Sequence, residues 1–140
     1  MKLRLYVGCA LTEAPPEFRE RVEELKALLR PRYDVLEFLG LMAGTPADVY
    51  ETDIQANVCT ADVMLAICDY PSTGLGFELA VAVRERRIPV LAVAHEKKRI
   101  TRLVLGLPEH HGNAGFKTYR DLLGDVPRLL EQKVESEALV

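Results

Sequence analysis

A glutamate behind two glycines, in the middle of the chain, combines residue types that can act on a sugar. The segment reads CDYPSTGLGFELAVA over positions 68–82, and its carboxylate is Glu78. The glycines, Gly74 and Gly76, let the backbone approach a ligand, and the N–H groups that open the next helix favour an anion. We expect Glu78 in the first turn of that helix, where the macrodipole keeps a shielded carboxylate ionised. Such a carboxylate suits attack on a sugar carbon, although first-turn acids often only stabilise a helix end.

The elements that must position this loop alternate between strands and helices. Apolar or alternating runs predict strands at positions 2–8, 33–40, 62–69, 88–96 and 115–121. Apolar residues at helical spacing, together with capping residues, predict helices at positions 15–30, 45–61, 76–87, 100–107 and 122–138. In the second of these helices, Thr45 is the expected N-cap and Pro46 the first helical residue.

Apolar strands separated by helices indicate a parallel sheet that is covered on both faces. At 140 residues, this pattern predicts a three-layer, flavodoxin-like α/β fold with a five-stranded parallel sheet in the order 2-1-3-4-5. Ligands of such sheets lie beyond the carboxyl ends of the strands, where the order reverses between strands one and three. Gly8 stands at the end of the first predicted strand and Asp69 at the end of the third, so we expect both to contact a substrate.

Composition and charge restrict the class of protein. The chain has 140 residues, of which 49% are hydrophobic and 28% charged, and its net charge of -3 argues against a nucleic-acid polymer as partner. The cysteines are widely spaced without a CxxC pair, which is typical of reduced thiols and not of a zinc site. No segment approaches the roughly 20 apolar residues of a membrane helix. We therefore expect one cytoplasmic domain over residues 1–140, with no membrane partner and no metal.

The segment ADVMLAICDYPSTGLGFELAVAV, at positions 61–83, resembles the nucleoside 2-deoxyribosyltransferase-like enzymes. Their pattern is an apolar strand followed by Pro-Ser-x-Gly-x-Gly-x-Glu-Leu. The resemblance extends over roughly residues 4–107 and includes LYVG near the start, YETD on the second helix and the PVLAV strand. The chain departs from many members in two places. Asp53 and Asp62 are one residue further apart, and the glycine of the first loop comes one place earlier, in YVGCALT.

This resemblance implies an enzyme that cleaves the N-glycosidic bond of 2′-deoxynucleosides or their 5′-monophosphates, without a cofactor. Glu78 matches the nucleophile that forms a glycosyl-enzyme, and Asp53 matches a carboxylate that handles protons or orients the base and sugar. Tyr6 matches a tyrosine that positions the nucleophile or the deoxyribose. The chemistry needs such a set because the base must leave protonated and the oxocarbenium-like transition state needs a nearby negative charge. From the residues alone, a solvated helix carboxylate is the more common interpretation of Asp53, and a strand tyrosine such as Tyr6 usually packs with its hydroxyl at the edge of the core.

Ser72 bears on the choice between a nucleoside and a nucleotide as substrate. In the nucleoside transferases that the chain resembles, an Asp commonly occupies this position, whereas a Ser helps to hold phosphate in the 5′-monophosphate hydrolases. An Asp repels a dianionic phosphate, while a hydroxyl and glycine N–H groups bind it. A serine after a proline also commonly makes only a local turn bond. The sequence therefore favours a nucleotide N-hydrolase, with a base-exchanging transferase as the alternative.

Thr101 matches a serine of the hydrolases that reaches the phosphate site of a neighbouring subunit. That match implies a homodimer or a higher homo-oligomer with shared sites, acting on a small-molecule nucleoside or nucleotide. The basic residues around it, Lys97, Lys98, Arg99 and Arg102, are equally typical of a solvated face.

Two further classes of function compete with the enzyme. In a non-catalytic nucleotide-binding module, the same loop holds a ligand and Glu78 only contacts ribose hydroxyls. A flavin carrier of flavodoxin type is disfavoured, because the first loop, GCALTEAPP, lacks a phosphate cradle rich in Ser and Thr.

Overall fold

The computed structural model describes residues 1–38 and 43–137, and five parallel strands form one sheet within them. The strands are β1 (Leu3–Cys9), β2 (Tyr33–Leu36), β3 (Val63–Ile67), β4 (Val90–His95) and β5 (Ala114–Tyr119). Their order is 2-1-3-4-5, and all four neighbouring pairs are parallel. The predicted flavodoxin-like α/β fold is thereby confirmed.

Helices cover both faces of this sheet. One face carries α1 (Pro16–Leu29) and α6 (Leu122–Ser136). The other carries α2 (Pro46–Tyr50) and α3 (Thr73–Ala80), each continued by a π-helical segment, Glu51–Val58 and Val81–Arg86 respectively. Two short helices, α4 (Arg102–Leu105) and α5 (Leu107–His110), connect β4 to β5. None of the helices in the described part of the chain has the length and apolar character needed to cross a membrane.

The central strand β3 is buried along its whole length, as its sequence VMLAI indicates. Val63, Leu65 and Ile67 pack towards α1 and α6, whereas Met64 and Ala66 pack towards α2 and α3. This alternation follows from the two-residue period of a strand, and it fixes β3 from both sides. The loop that follows β3 therefore leaves the sheet from a rigid point.

A buried carboxylate also fastens the end of β3 to the end of β5. Tyr119 Oη donates a hydrogen bond of 2.6 Å to Asp69 Oδ2, and the backbone N–H of His95 approaches the same carboxylate at 3.4 Å. Burial raises the pKa of Asp69, and the bond from Tyr119 acts in the opposite direction. Because Asp69 directly precedes the loop, these bonds restrict where the loop begins.

Two boundaries near that edge differ from the sequence expectation. The helix predicted at 76–87 begins earlier, at Thr73, because Ser72 caps it: Ser72 Oγ accepts a hydrogen bond of 3.1 Å from the backbone N–H of Leu75. The strand predicted at 33–40 ends at Leu36. Positions 39 and 40 of that prediction lie outside the described residues. The expected cap of α2 is confirmed, with reciprocal bonds between Thr45 and Asp48.

Candidate active site

A cavity of about 620 Å³ opens at the carboxyl ends of β1 and β3, where the strand order reverses. Sheets of this kind bind ligands at that point, and the volume suits a small molecule. The described residues that line the cavity are Tyr6, Cys9, Leu11, Thr12, Glu13, Phe38, Val49, Asp53, Pro71, Ser72, Thr73, Gly74, Leu75 and Glu78.

Glu78 and Tyr6 form a polar pair in the wall of this cavity. Both side chains are buried, and Tyr6 Oη donates a hydrogen bond of 2.5 Å to Glu78 Oε2. Asp53, half-buried in the π-helical segment after α2, lines the same cavity, and its charge acts on both Glu78 and Tyr6. The structure thus brings together the three residues that the sequence analysis proposed for catalysis.

Burial controls the protonation of Glu78. Removal from water raises the pKa of Glu78 to about 7, with a further rise from the charge of Asp53 and an opposing effect from the Tyr6 hydrogen bond. Burial and the charge of Glu78 also raise the pKa of Tyr6 far above its usual range. Near neutral pH, the carboxyl of Glu78 is therefore divided between its protonated and ionised forms, while the phenol of Tyr6 keeps its proton.

The expectation that the helix macrodipole keeps Glu78 ionised is wrong. Because α3 begins at Thr73, Glu78 lies in the second turn, and the first turn contains no acidic residue. The macrodipole acts mainly within the first turn of a helix. The interaction that favours the ionised carboxylate is instead the hydrogen bond from Tyr6.

Gly8 makes room for this pair. A Cβ atom on Gly8 would lie 2.8 Å from Leu75 Cδ1, 3.1 Å from Met64 Cε and 3.3 Å from Glu78 Oε1. The missing side chain therefore lets α3 approach β1 closely enough for Glu78 to reach Tyr6. Gly8 was expected to contact substrate, and the structure places it beneath Glu78 and not among the residues that line the cavity.

The π-helical segment after α2 brings Asp53 to the cavity. A π turn holds more residues than an α turn because its hydrogen bonds join residues five apart. One such bond runs from the N–H of Cys59 to the carbonyl of Ile54, at 2.8 Å. Asn57 fixes the segment against the end of β2 through a bond of 2.8 Å from its Nδ2 to the carbonyl of Glu37. The segment is thereby held with Asp53 among the residues that line the cavity.

The beginning of α3 borders the cavity with groups that can hold an anion. Ser72, Thr73 and Gly74 all line it. Ser72 Oγ accepts the local bond from Leu75, which leaves the hydroxyl proton available for a ligand. The N–H groups of Thr73 and Gly74 belong to the first turn and have no acceptor within the helix. Gly76, also expected to bind substrate, lies elsewhere, in an apolar groove beside α4.

Two other predicted substrate contacts do not line the cavity of this chain. Asp69 accepts the bonds from Tyr119 and His95 described above. Thr101 is exposed and caps α4, where its Oγ1 accepts a bond of 3.3 Å from the N–H of Leu103. Among residues 1–38 and 43–137, no three His, Cys, Asp or Glu side chains are grouped as metal ligands.

Two residues that the sequence did not single out, Phe38 and Arg19, also line the cavities at this edge. Phe38, just after β2, lines both the main cavity and a neighbouring one of about 180 Å³. Arg19 lines the smaller cavity, and its buried Nε has no hydrogen-bond acceptor within the described part of the chain. Unpaired buried donors are rare in folded proteins, so this atom is suited to a ligand or a water. The sequence feature that could have identified Arg19 is its spacing. It precedes the buried Val22 of α1 by three residues, and residues three apart lie on the same side of a helix.

Comparison with known proteins shows that this fold is shared with a nucleotide-cleaving enzyme. The structure of the CMP N-glycosidase BcmB from Clostridium botulinum matches with a TM-score of 0.68 and 19% identity, over 90% of this chain and 97% of that one. A conserved protein from Enterococcus faecalis V583 matches with a TM-score of 0.67 and 15% identity, over 97% and 99%. No protein-family model and no curated protein matches the chain. At these identities the similarity is one of fold.

The buried carboxyl predicts a pH-dependent gain in stability for Glu78→Gln. The folded-state pKa of about 7 lies above the ordinary 4.5, so wild-type stability is complete below pH 4.5 and declines as pH rises through 7. The neutral amide of Gln still accepts the hydrogen bond from Tyr6 and cannot ionise, so the variant does not lose this stability as pH rises. The free energy of unfolding of Glu78→Gln, relative to wild type, should therefore rise by up to about 3 kcal/mol between pH 4 and pH 8.

Urea unfolding at a series of pH values measures this difference. Glu85→Gln is the matched control, because Glu85 is an exposed glutamate of the π-helical segment that continues α3. Its difference from wild type should not vary with pH. An equally flat profile for Glu78→Gln would contradict the raised pKa.

Proposed function

We propose that the protein belongs with the nucleoside 2-deoxyribosyltransferase-like enzymes and cleaves the N-glycosidic bond of 2′-deoxynucleotides. The observation that carries the proposal is the buried Tyr6–Glu78 pair, beside Asp53, in a cavity of about 620 Å³. The fold shared with a CMP N-glycosidase and the motif around Glu78 support it. The preferred substrate is a 5′-monophosphate and the acceptor is water, which makes the protein a nucleotide N-hydrolase.

In this mechanism, ionised Glu78 is the nucleophile. A carboxylate oxygen attacks C1′ of the sugar, and the electron pair of the glycosidic bond leaves with the base, which takes up a proton. Water then attacks C1′, releases the sugar and restores the carboxylate. Tyr6 engages Oε2, so Oε1 is the oxygen that it leaves unoccupied for the attack.

Asp53 supplies the second carboxylate that such a reaction requires. Its charge raises the pKa of Glu78, so Asp53 lies near enough to Glu78 to act on the same substrate. Asp53 accordingly handles the proton of the departing base or orients the base and sugar. Neither role needs a cofactor, because both proton transfer and nucleophilic attack are available to carboxyl groups.

The ends of the cavity support a nucleotide as the ligand. Ser72 and the free N–H groups of Thr73 and Gly74 suit a 5′-phosphate, and no carboxylate stands at position 72 to repel it. Beyond the sugar, the buried Nε of Arg19 offers a donor to a heteroatom of a base. A free nucleoside would leave the phosphate end unfilled, which is why the hydrolase is favoured over the transferase.

We further propose that the protein is a homodimer that shares its sites. An apolar groove of about 640 Å³ runs between α3 with its π-helical continuation and the short helices α4 and α5. Leu103 beside it is 80% exposed, and the ring of Phe77 on α3 is half-exposed. Exposed apolar surface of this kind marks an interface. A second copy seated on this face would carry its Thr101, next to Leu103, towards the α3 that borders the cavity.

The proposed reaction predicts release of free base from 5′-monophosphates. Chromatography of each deoxynucleoside and each 5′-monophosphate, with and without a second base, measures it. Glu78→Gln should lose about three orders of magnitude or more in rate, since it removes the nucleophile, while Glu85→Gln should keep the wild-type rate. The wild-type rate should rise with pH through about 7, as Glu78 loses its proton.

Other outcomes of this assay have definite meanings. Base exchange on free nucleosides would establish the transferase and remove the phosphate role of Ser72. Binding of nucleotides without release of base would contradict catalysis and leave a nucleotide-binding module, in which Glu78 contacts ribose hydroxyls.

The proposed dimer predicts that Leu103→Glu yields monomers. A charge in the centre of an apolar interface is costly to bury, so the association should fail while the fold survives. Sedimentation equilibrium measures the mass. Leu28→Glu is the control, because Leu28 is an exposed leucine of α1, on the opposite face of the sheet. A monomeric wild type, or a dimeric Leu103→Glu, would contradict this interface.

A further inference from the structure

We propose that Phe38 is the surface on which the base of the substrate stacks, and that the buried Lys26 is the positioning residue that holds its ring. The identity of the ligand, a flat heterocycle joined to a sugar phosphate, rests on the proposed function. The arrangement of the two side chains does not depend on it.

Lys26 is unusual because none of its side chain is exposed. Its relative exposure is 0%, whereas lysines are almost never fully buried unless they are paired. Its Nζ lies 3.1 Å from Glu23 Oε2 and 3.5 Å from Glu37 Oε2, and both carboxylates are about half-exposed. Such carboxylates can pair with a lysine at the surface, so the ion pairs alone do not require the burial of Lys26.

The aromatic ring of Phe38 accounts for where the ammonium lies. Nζ of Lys26 stands 3.8 Å from the centroid of the Phe38 ring, which is the distance of a cation–π contact. The cation occupies one face of the ring, so the ring cannot turn into that space. What Phe38 presents to the cavities is therefore its remaining face and its edge.

Glu37, the residue that precedes Phe38, is also held from two sides. At the end of α1, Arg30 Nη2 donates a hydrogen bond of 2.7 Å to the side-chain Oε1 of Glu37, and Lys26 approaches the same carboxylate. From the π-helical segment after α2, Asn57 Nδ2 bonds the carbonyl of Glu37 at 2.8 Å. Phe38 thus follows a residue that two neighbouring elements fix, which gives its ring a defined place.

The position of Phe38 fits the base end of the proposed ligand. Among the described residues that line the main cavity, Tyr6 and Phe38 are the aromatic ones, and Tyr6 is engaged by Glu78. Phe38 also lines the smaller cavity, so it stands between the two. With phosphate at Ser72 and the sugar carbon at Glu78, the base extends towards the remaining apolar wall, where Phe38 offers a ring. Stacking on an aromatic ring is tolerant of base identity.

Kinetic constants of wild type and four variants test this arrangement. Phe38→Leu should raise KM for the 5′-monophosphate by about 10-fold or more and leave kcat within about threefold, because stacking contributes to binding before and during the reaction. Lys26→Met should also raise KM. Lys26→Arg should have the KM of wild type, since a guanidinium keeps a cation on the ring. Arg32→Gln, which removes an exposed cation that pairs with Glu131 and not with Glu37, should keep the wild-type KM. Should Lys26→Met not fold, Lys26→Gln takes its place.

A binding measurement separates this inference from the proposed function. The chain contains no Trp, so Phe38→Trp introduces a single indole emitter at the wall of the cavity. Each deoxynucleoside 5′-monophosphate should quench it, whereas 2-deoxyribose 5-phosphate, which has the same phosphate and no base, should not. Quenching without any base release from wild type would refute the hydrolase and support the stacking surface.

Three results would overturn the inference. Absence of nucleotide quenching in Phe38→Trp would remove stacking at this position. Base release with an unchanged KM in Phe38→Leu would do the same. A wild-type KM in Lys26→Met, together with a raised KM in Phe38→Leu, would keep the stacking surface and refute the positioning role of Lys26.

Discussion

The hydrogen bond from Tyr6 to Glu78 is the interaction on which the rest of the site depends. Burial alone drives a carboxyl to its neutral form, and a neutral carboxyl is a poor nucleophile. The bond from Tyr6 opposes that tendency. The pKa of Glu78 is therefore about 7, lower than burial alone would make it. The carboxyl is then shielded from water and still available as an anion near neutral pH. This balance costs stability, which is common where a site needs a buried charge.

Several features of the fold can be understood as conditions for that bond. Gly8 removes the side chain that would hold α3 away from β1. The buried β3 and the bonds from Tyr119 and His95 to Asp69 fix the point from which the next loop leaves the sheet. The π-helical turns bring Asp53 to the same cavity. Ser72 caps α3 and starts it at Thr73, which sets Glu78 in the second turn. The first residues of the helix, whose N–H groups have no acceptor within it, then line the cavity.

The fold was predictable because strands buried on both faces leave continuous apolar runs, and VMLAI in β3 is one of them. The motif around Glu78 predicted the correct edge of the sheet. The start of α3 at Thr73 was not predicted, because two glycines, Gly74 and Gly76, stand in its first turns. The contacts of Lys26 and Phe38 were not predictable, since they join α1 to a segment beyond β2 and depend on tertiary packing. Local sequence patterns do not indicate contacts between elements that are distant along the chain. The proposed role of Thr101 likewise depends on the proposed second copy of the chain.

The most direct test is a titration of the Glu78 carboxyl itself. Carbon-13 NMR of glutamate labelled at the side-chain carboxyl, with Glu78→Gln used to assign the resonance, reports its protonation at each pH. We expect a midpoint near pH 7 in wild type, a higher one in Tyr6→Phe and a lower one in Asp53→Asn. A midpoint near 4.5 that neither substitution moves would contradict the account, because Glu78 would then be an ordinary solvated carboxylate.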